Sequence, residues 1–178
     1  VARTPESSTG LQALKREYKD RLELVNADVT AADAAKRISH ALKAWPCVDV
    51  LINNAGIYEK GESAEELAQS FLTNATAPFL LTRALYAFLK KSAQPKVMHI
   101  TSLMGSITDN TSGGSCAYRA SKAALNMLNK CISIDESWLI AAVIHPGWVQ
   151  TQMGGAGAPV SVRESAAGIW GVIEKLNS

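Results

Sequence analysis

A chain of 178 residues that is 47% hydrophobic and 19% charged has the composition of a globular protein and the length of one domain. Its net charge of +2 gives no reason to expect binding to nucleic acid or an anionic membrane, and its apolar runs are shorter than the roughly 20 residues of a membrane span. The three cysteines and three histidines lack metal-ligand spacing, so we predict no metal and a cytoplasmic protein with reduced thiols.

Helical and extended patterns alternate in the first third of the chain. Residues 10–18 have their leucines on one side of a helix, and residues 22–26 alternate as a strand does. Thr30 suits the N-cap of a second helix, which Pro46 should end. Residues 48–52 are mostly apolar and partly β-branched, which is typical of a parallel strand buried on both faces.

The run Asn53-Asn54-Ala55-Gly56 comes directly after this strand. Two asparagines and a glycine at a strand end are typical of a tight turn. In an open α/β sheet, however, ligands bind beyond the carboxyl ends of the strands, where small residues let a cofactor approach the backbone. Both interpretations remain open from these four residues alone.

A long helical pattern covers residues 62–91 and contains Pro78. Proline removes one helical hydrogen bond, so the helix should be distorted there. The missing bond is the one to the carbonyl of Asn74, four residues earlier. That carbonyl is therefore predicted to bond another partner, such as a water.

The second half of the chain contains two more predicted strands, a loop of small residues and a final helix, at residues 96–101, 139–144, 154–159 and 164–176. The first of these strands leads to Ser102, and the second leads to the run Pro146-Gly147-Trp148-Val149-Gln150-Thr151. The small residues of the loop are typical of a mobile lid. Alternating strands and helices predict a parallel sheet with helices on both faces and with the polar candidates at one edge.

Tyr118 and Lys122 are four residues apart in a predicted amphipathic helix at residues 115–137. Side chains at this spacing share one face of a helix, so their head groups can meet. A lysine ammonium beside a phenol favours the phenolate, which predicts a lowered Tyr118 pKa and a proton donor usable near neutral pH. The same spacing is common on solvated helix faces, so the pair alone does not establish catalysis.

Taken together, these residues resemble the short-chain dehydrogenases/reductases over nearly the whole chain. The matching elements occur in the family's order: Asn53-Asn54-Ala55-Gly56, Asn74, Ser102, Tyr118-x-x-x-Lys122 and Pro146-Gly147-x-Val149-x-Thr151. Residues 102–127 look most like the C-factor and sniffer-like carbonyl reductases. The resemblance implies an α/β fold with a Rossmann-like doubly wound parallel sheet, helices on both faces, and a single dinucleotide-binding and catalytic domain over residues 1–178.

The resemblance also implies a catalytic set of four residues. Tyr118 would donate a proton to a substrate carbonyl, and Ser102 would hydrogen-bond the same oxygen. Lys122 would lower the Tyr118 pKa and hold the nicotinamide ribose. Asn74 would anchor a water that links Lys122 to solvent.

A nicotinamide dinucleotide is the implied cofactor. The residues implied to bind it are Arg3, Asp28, Val29, Asn53, Ala55, Gly56, Tyr118, Lys122, Pro146, Gly147, Val149 and Thr151. Arg3 falls where NADP-preferring members have a basic residue, which favours NADP(H), with NAD(H) as the other candidate. The implied partners are a small carbonyl or alcohol substrate and a second copy of the chain, bound through the two long helices at residues 62–91 and 115–137.

Two departures from the family pattern concern the ends of the sequence. The family begins with a strand and a Gly-rich turn that holds the pyrophosphate, and this sequence contains no such motif. The expectation is an N-terminally truncated domain without the first strand, its helix and the family's last strand. Loss of that central first strand would break the sheet between residues 22–26 and 48–52.

The function expected from the resemblance is an NADP(H)-dependent oxidoreductase that reduces a carbonyl or oxidises an alcohol by hydride transfer, with Tyr118 as general acid/base. The alternative is a non-catalytic truncated fragment or pseudoenzyme that acts only through helix-mediated association. An epimerase or dehydratase with the same tyrosine and lysine is a third interpretation, which the compact length and the Pro146-Gly147 segment disfavour.

Overall fold

The computed structural model describes residues 1–176, and a parallel sheet of three strands lies at their centre. The strands are β1 (Val50–Asn53), β2 (Lys96–Ile100) and β3 (Ile140–Ile144), in the spatial order β1-β2-β3. Lys96 is in register with Val50 on one side and with Ile140 on the other. Every residue of β2 is buried, as expected for a strand with a neighbour on each edge and helices over both faces.

The described residues contain seven α-helices and several shorter turns. The helices are α1 (Thr9–Tyr18), α2 (Ala34–Ala41), α3 (Ala64–Phe71), α4 (Ala77–Ala84), α5 (Tyr86–Leu89), α6 (Cys116–Asp135) and α7 (Val162–Lys175). Turns of 3₁₀ helix cover Pro5–Ser7, Lys19–Arg21, Leu42–Ala44 and Leu103–Gly105, and a π-helical turn covers Leu72–Thr76. Among residues 1–176, no helix combines the length and the apolar character needed to cross a bilayer.

Side chains on the two faces of the sheet form two separate cores. One core joins Val97 to residues of α2, α4, α5 and α6 and of the neighbouring turns: Ala27, Ile38, Leu81, Leu85, Leu89, Ile132 and Leu139. The other core joins Met98, Ile100 and Ile144 to Ile173 of α7. Successive strand residues point to opposite faces, so neighbours in β2 enter different cores. Helices on both faces of a parallel sheet confirm the predicted α/β fold.

The predicted strand at residues 22–26 is wrong as a full strand. A single parallel bridge joins Ala2 to Asn26, with hydrogen bonds of 3.0 Å from Ala2 N–H to the Val25 carbonyl and from Ala27 N–H to the Ala2 carbonyl. The pairing stops there because the chain turns into the 3₁₀ helix Pro5–Ser7 almost at once.

The predicted N-cap of α2 is also wrong, because Asp33 and not Thr30 occupies that position. Thr30 instead donates from its N–H and from its hydroxyl to the Asp28 carboxylate, at 2.9 and 2.7 Å. A carboxylate two residues away closes a local turn, and that turn competes with helix capping. α2 and its following 3₁₀ turn still end before Pro46, as predicted.

The long helical pattern at residues 62–91 forms three helices and not one. The π-helical turn Leu72–Thr76 separates α3 from α4, and Pro78 lies in the first turn of α4. The N–H of Ala77 bonds to the carbonyl of Leu72, five residues back, where an α-helix would use a residue four back. The predicted distortion near Pro78 is thus confirmed, and it takes the form of one extra residue in the turn.

Two capping boxes fix where α3 and α7 begin. The Ser63 hydroxyl accepts from the Glu66 N–H at 3.2 Å, and the Glu66 carboxylate accepts from the Ser63 N–H at 3.1 Å. Ser161 and Glu164 make the same pair of bonds at the start of α7. Both helices therefore start at fixed points beside the loops that follow β1 and β3.

Candidate active site

A cavity of about 1030 Å³ lies at the carboxyl ends of all three strands. Its lining includes residues 54–56 after β1, Ser102 after β2 and residues 145–149 after β3. Parallel strands end at the same edge of their sheet, so these three segments meet although they are far apart in sequence. This is the edge at which the sequence predicted a site.

Helix α6 brings Tyr118 and Lys122 into the same cavity. Their side chains are buried, with 8% and 4% of their surface exposed. The helix turns them inward because its apolar positions, including Leu125 and Ile132, pack beneath them in the interior. The pair does not lie on a solvated helix face, so that interpretation of the spacing is wrong.

The Lys122 ammonium lies beside the tyrosine ring and points to the strand end. Its Nζ is 5.8 Å from the centre of the Tyr118 ring and donates to the Ile100 carbonyl at 2.8 Å. Burial lowers the pKa of Lys122 to about 8, since the cation is removed from water. The pKa of this lysine therefore lies well below the 10.5 that is usual for an exposed lysine.

The pKa of Tyr118 is raised above its ordinary value, mainly by burial. The Ser102 hydroxyl opposes this by hydrogen bonding, and neighbouring Tyr58 adds to the increase. The predicted lowering by Lys122 is therefore wrong for the chain alone. The physical reason is that burial removes water from the phenolate, while the Lys122 ammonium is itself buried and bonded to the Ile100 carbonyl.

Asn74 joins three separate segments around the pair. The Ile57 N–H donates to its Oδ1 at 2.8 Å, and its Nδ2 donates to the Ile57 carbonyl at 2.9 Å. Nδ2 also donates to the Ser121 hydroxyl at 3.0 Å, and this hydroxyl donates to the Tyr118 carbonyl at 2.8 Å. The π-helical turn thus directs Asn74 to the loop after β1 and to α6. The predicted water at its main-chain carbonyl stays a prediction.

Two glycines allow loops to approach α6 closely. A Cβ on Gly56 would lie 3.1 Å from Asn74 Oδ1 and 3.6 Å from Lys122 Nζ. A Cβ on Gly105 would lie 2.9 Å from the carbonyl carbon and from the Cβ of Lys122. Gly56 therefore lets the loop after β1 lie directly against the Asn74 amide and the Lys122 ammonium, where a larger residue would crowd Asn74.

A second cavity, of about 240 Å³, lies between β1 and the N-terminal segment. Val1, Val29 and Asn53 help to line it, and Asn54 and Ala55 line both cavities. The two cavities therefore adjoin at the end of β1. An elongated ligand could extend from one to the other along these two residues.

The residues that the resemblance assigns to the adenosine side of the cofactor do not all meet in one place; they are Arg3, Asp28, Val29, Asn53, Ala55 and Gly56. The two hydrogen bonds from Thr30 lower the pKa of Asp28, and the charge of the exposed Arg3 adds a smaller contribution. Neither Arg3 nor Asp28 lines the two cavities. Asn53 turns its amide inward, where Nδ2 lies 3.0 Å from Thr82 Oγ1 and 3.2 Å from His99 Nδ1.

The predicted residues after β3 line the large cavity: Pro146, Gly147, Val149 and Thr151. Gly147 has a φ of +84°, a conformation that favours glycine. The loop at residues 154–159 packs back on this segment, and Trp148 Nε1 donates to the Gly154 carbonyl at 2.8 Å. Gln150 Nε2 donates to the carbonyl of the buried Ala158 at 3.0 Å. The small residues of the loop allow close packing against residues 148–150. The mobile lid remains a prediction, and its opening would have to break the two hydrogen bonds just described.

The structure adds residues to the site that the sequence did not single out. Side chains of mostly apolar character form much of the remaining lining: Tyr58, Leu103, Met104, Trp148, Met153, Val162 and Ile169. Ser121 joins the site by its bond to Asn74. Four of the apolar side chains are also strongly exposed at the cavity, namely Leu103, Trp148, Met153 and Val162. In the sequence, the signal for this surface was the presence of apolar residues in the segments that follow the strand ends.

Metal ligands are not part of this arrangement. In the described part of the chain, no group of three histidine, cysteine or acidic side chains could hold a metal ion. The three thiols, of Cys47, Cys116 and Cys131, are free. The polar groups that line the cavity are phenols, ammonium groups, an imidazole, hydroxyls and amides.

Comparison with known proteins identifies the family. The family model for short chain dehydrogenases matches residues 1–158. The chain belongs to the short-chain dehydrogenase family. This confirms the predicted resemblance, and it makes the chain an oxidoreductase by descent.

Similar proteins within the short-chain dehydrogenases include carbonyl reductases. C-signal of Myxococcus xanthus is 43% identical over 137 residues, which cover 73% of this chain and 82% of that protein. The carbonyl reductase Sniffer of D. melanogaster superposes with a TM-score of 0.90 at 32% identity, over 99% of this chain and 79% of that one. The NADPH-bound carbonyl reductase from chicken fatty liver gives a TM-score of 0.90 at 33% identity, with the same coverage. These matches confirm the Rossmann-like fold and the nearness to carbonyl reductases.

Proposed function

We propose that this short-chain dehydrogenase is an NADP(H)-dependent oxidoreductase that reduces a carbonyl or oxidises an alcohol, with Tyr118 as general acid/base. The observation that carries the proposal is that Tyr118, Lys122 and Ser102 line one cavity at the strand ends. A phenol there can exchange a proton with a substrate oxygen, and a neighbouring hydroxyl can orient that oxygen by a hydrogen bond.

Each polar residue has a distinct task in the reductive direction. Tyr118 donates its proton to the substrate oxygen as charge develops on it, and Ser102 hydrogen-bonds the same oxygen. Lys122, whose Nζ lies 5.8 Å from the centre of the Tyr118 ring, would return a proton from solvent. Asn74 holds Ile57 and Ser121, and through them the backbone around Tyr118.

NADP(H) is the cofactor that we propose, and NAD(H) is the other candidate. When bound, it would supply or accept the hydride. The two adjoining cavities, which share Asn54 and Ala55, fit an elongated nucleotide. The residues that would hold the nicotinamide half are Pro146, Gly147, Val149, Thr151, Tyr118 and Lys122, and those that would serve the adenosine half are Arg3, Asp28, Val29, Asn53, Ala55 and Gly56.

Two observations support NADP(H) over NAD(H). Arg3 is an exposed cation near Asp28, where it can pair with a 2′-phosphate. The similar reductase from chicken fatty liver is an NADPH-bound protein. The substrate is proposed to be a small carbonyl or alcohol, because the remaining lining of the cavity is largely apolar and lacks carboxylates.

The proposed reaction is tested by adding NADPH and a panel of aldehydes and ketones to the chain. Binding is followed by nucleotide fluorescence and thermal shift, and turnover by nucleotide absorbance. Tyr118→Phe should reduce kcat by at least about 100-fold, since general acid catalysis contributes about 10²–10⁴-fold. It should weaken NADPH binding by no more than about tenfold, the effect of one lost hydrogen bond. Tyr18→Phe, at an exposed tyrosine of α1, is the matched control and should retain full activity.

Two results would overturn this proposal. Retained turnover in Tyr118→Phe would reject Tyr118 as the acid. NADPH binding without turnover of any carbonyl or alcohol would favour the non-catalytic alternative, a fragment or pseudoenzyme that acts through its helices.

We also propose that residues 1–178 form one dinucleotide-binding and catalytic domain, since the large cavity takes lining residues from Asn54 to Ile169.

A homodimer through the two long helical regions is proposed as well. Exposed apolar side chains on these regions support it: Phe71, Leu72, Leu80, Met127 and Ile134. Sedimentation velocity should give a dimer that Leu80→Asp dissociates and that Leu14→Asp, on α1, leaves intact. A cytoplasmic location stays a prediction.

A further inference from the structure

Tyr58 lies in the loop after β1 and packs directly against Tyr118. The two ring centres are 4.7 Å apart, and the ring planes meet at 86°. A perpendicular pair at this separation is a favourable aromatic arrangement. Tyr58 also lines the large cavity. The phenol assigned as general acid/base therefore has one side of its ring fixed by a second phenol.

The hydroxyl of Tyr58 ties the same loop to the start of α6. Its Oη lies 3.0 Å from the Ser115 hydroxyl. Ser115 precedes the first residue of α6 and has a φ of +49°, and its side chain makes no capping bond to the helix. A serine at that position ordinarily caps the helix, so the hydroxyl is used here for the bond with Tyr58. Tyr118 follows three residues later.

The backbone beside Tyr58 is held as firmly as its side chain. Ile57, the preceding residue, accepts from and donates to the Asn74 amide at 2.9 and 2.8 Å. Asn74 in turn reaches the Tyr118 carbonyl through Ser121. Ring, hydroxyl and backbone thus converge on the first turn of α6 from three directions.

We propose that Tyr58 is a positioning residue for the reaction, which orients the Tyr118 ring through aromatic contact and fixes the start of α6 through Ser115. The inference rests on the function proposed above. It assigns Tyr58 a task beyond lining the cavity. A displacement of about 1 Å at a reacting group can cost about 100-fold in rate, so a residue that sets the ring orientation controls kcat.

The kinetic test separates the ring from the hydroxyl. Tyr58→Leu removes both and should lower kcat by about tenfold or more, with NADPH affinity unchanged. Tyr58→Phe keeps the ring and should lose only about two- to tenfold, the effect of one hydrogen bond. Ser115→Ala should match Tyr58→Phe, and the double variant should lose no more than either single variant. Tyr18→Leu is the matched control at an exposed tyrosine.

A spectroscopic readout makes the test independent of turnover. In an NMR spectrum of the protein labelled in its tyrosine rings, the Tyr118 resonance is assigned because it disappears in Tyr118→Phe. Tyr58→Leu should shift that resonance, because it removes a ring current 4.7 Å away, and Tyr58→Phe should leave it nearly in place. An unshifted resonance in Tyr58→Leu overturns the inference whether or not the chain is active. Where turnover is measurable, a Tyr58→Leu kcat within twofold of wild type overturns it as well. Loss of turnover in wild type alone would count against the proposed reaction and not against this contact.

Discussion

His99 is a buried histidine at the carboxyl half of β2, with 1% of its surface exposed. Asn53 donates from Nδ2 to its Nδ1, so the neutral ring carries its proton on Nε2. Nε2 has no hydrogen-bond partner among residues 1–176. Burial, assisted by the Lys122 charge, lowers the His99 pKa from 6.5 to about 4. The fold therefore accepts His99 only as a neutral ring.

This residue predicts how stability depends on pH. In the unfolded chain His99 binds a proton below pH 6.5, whereas the folded chain resists protonation down to about 4. Between these two pH values the unfolded chain binds more protons than the folded chain. The contribution of His99 to the free energy of unfolding is therefore fully present above pH 6.5 and is lost as the pH falls towards 4. The loss should reach roughly 3 kcal/mol, at 1.36 kcal/mol for each unit of pKa.

Urea unfolding between pH 4 and 7 measures this contribution. His99→Asn should flatten the dependence of the unfolding free energy on pH. His40→Asn, at an exposed histidine of α2, should leave the dependence as steep as in wild type. An unchanged slope in His99→Asn would mean that other groups cause the acid sensitivity.

Sequence reasoning at this scale succeeded where the chemistry depends on position along one element. Ser102 follows a strand, and Tyr118 and Lys122 share one helix, so their meeting could be predicted. Tyr58 and Ser121 could not, because their bonds run to Ser115 and Asn74, which are 57 and 47 residues away. The direction of the Tyr118 pKa was missed for a related reason: the sequence gives the neighbouring charge but not the depth of burial that outweighs it.

At the scale of elements, the 3₁₀ turn Leu103–Gly105 packs on α6 through a glycine. A Cβ at Gly105 would lie 2.9 Å from backbone and Cβ atoms of Lys122, where real Cβ atoms do not fit. Gly105→Ala should therefore destabilise the fold by about 1–3 kcal/mol, the usual cost of overpacking. It should also move Lys122 and weaken NADPH binding.

Gly168→Ala is the matched control for Gly105→Ala. Gly168 lies inside α7 with nothing within 4 Å of an added Cβ. Alanine there should stabilise the protein by about 0.5–1 kcal/mol. Thermal and urea unfolding of both variants measure the difference between their free energies of unfolding. Equal effects of the two substitutions would show that a side chain at position 105 does not clash with Lys122.

The boundaries of elements were predictable where the local pattern acts alone. α1 and α7 lie within two residues of their predictions, because an amphipathic pattern and a capping serine mark them. The strand at residues 22–26 failed because strand formation needs a partner, and Ala2 supplies a single bridge. The division of the long helical region needed the three-dimensional position of Asn74, which periodicity does not report.

At the scale of the whole molecule, the central strand and the N-terminal segment have unequal support. β2 is buried between β1 and β3 and between two cores, whereas residues 1–27 lie outside the three-stranded sheet and contain a single β-bridge. Backbone opening should therefore cost far less at residues 1–27 than in β2. Hydrogen–deuterium exchange followed by mass spectrometry should show β2 as the slowest segment and residues 1–27 among the fastest.

Cofactor binding should reduce that difference. If Arg3, Asp28 and Val29 contact the adenosine half, saturating NADPH will slow hydrogen exchange at residues 1–29, because it stabilises the folded form of this segment against local opening. Exchange in β2 should change little, since it is already protected by packing. Protection confined to residues 54–56 and 145–151 would assign the nucleotide to the large cavity alone.

The π-helical turn Leu72–Thr76 means that the direction of Asn74 depends on a residue count. Each residue added to or removed from a helix rotates the later part of that helix by about 100°. Deletion of Ala75 alone would let the turn close as an ordinary α-helix, although Asn74, Ser102, Tyr118 and Lys122 would all be retained. After this rotation, either the apolar face of α4 would lose its packing contacts or the Asn74 amide would lose its hydrogen bonds, because the two could no longer both face their present partners. Deletion of this one residue, which does not line the large cavity, could thus disable the site as surely as loss of the tyrosine.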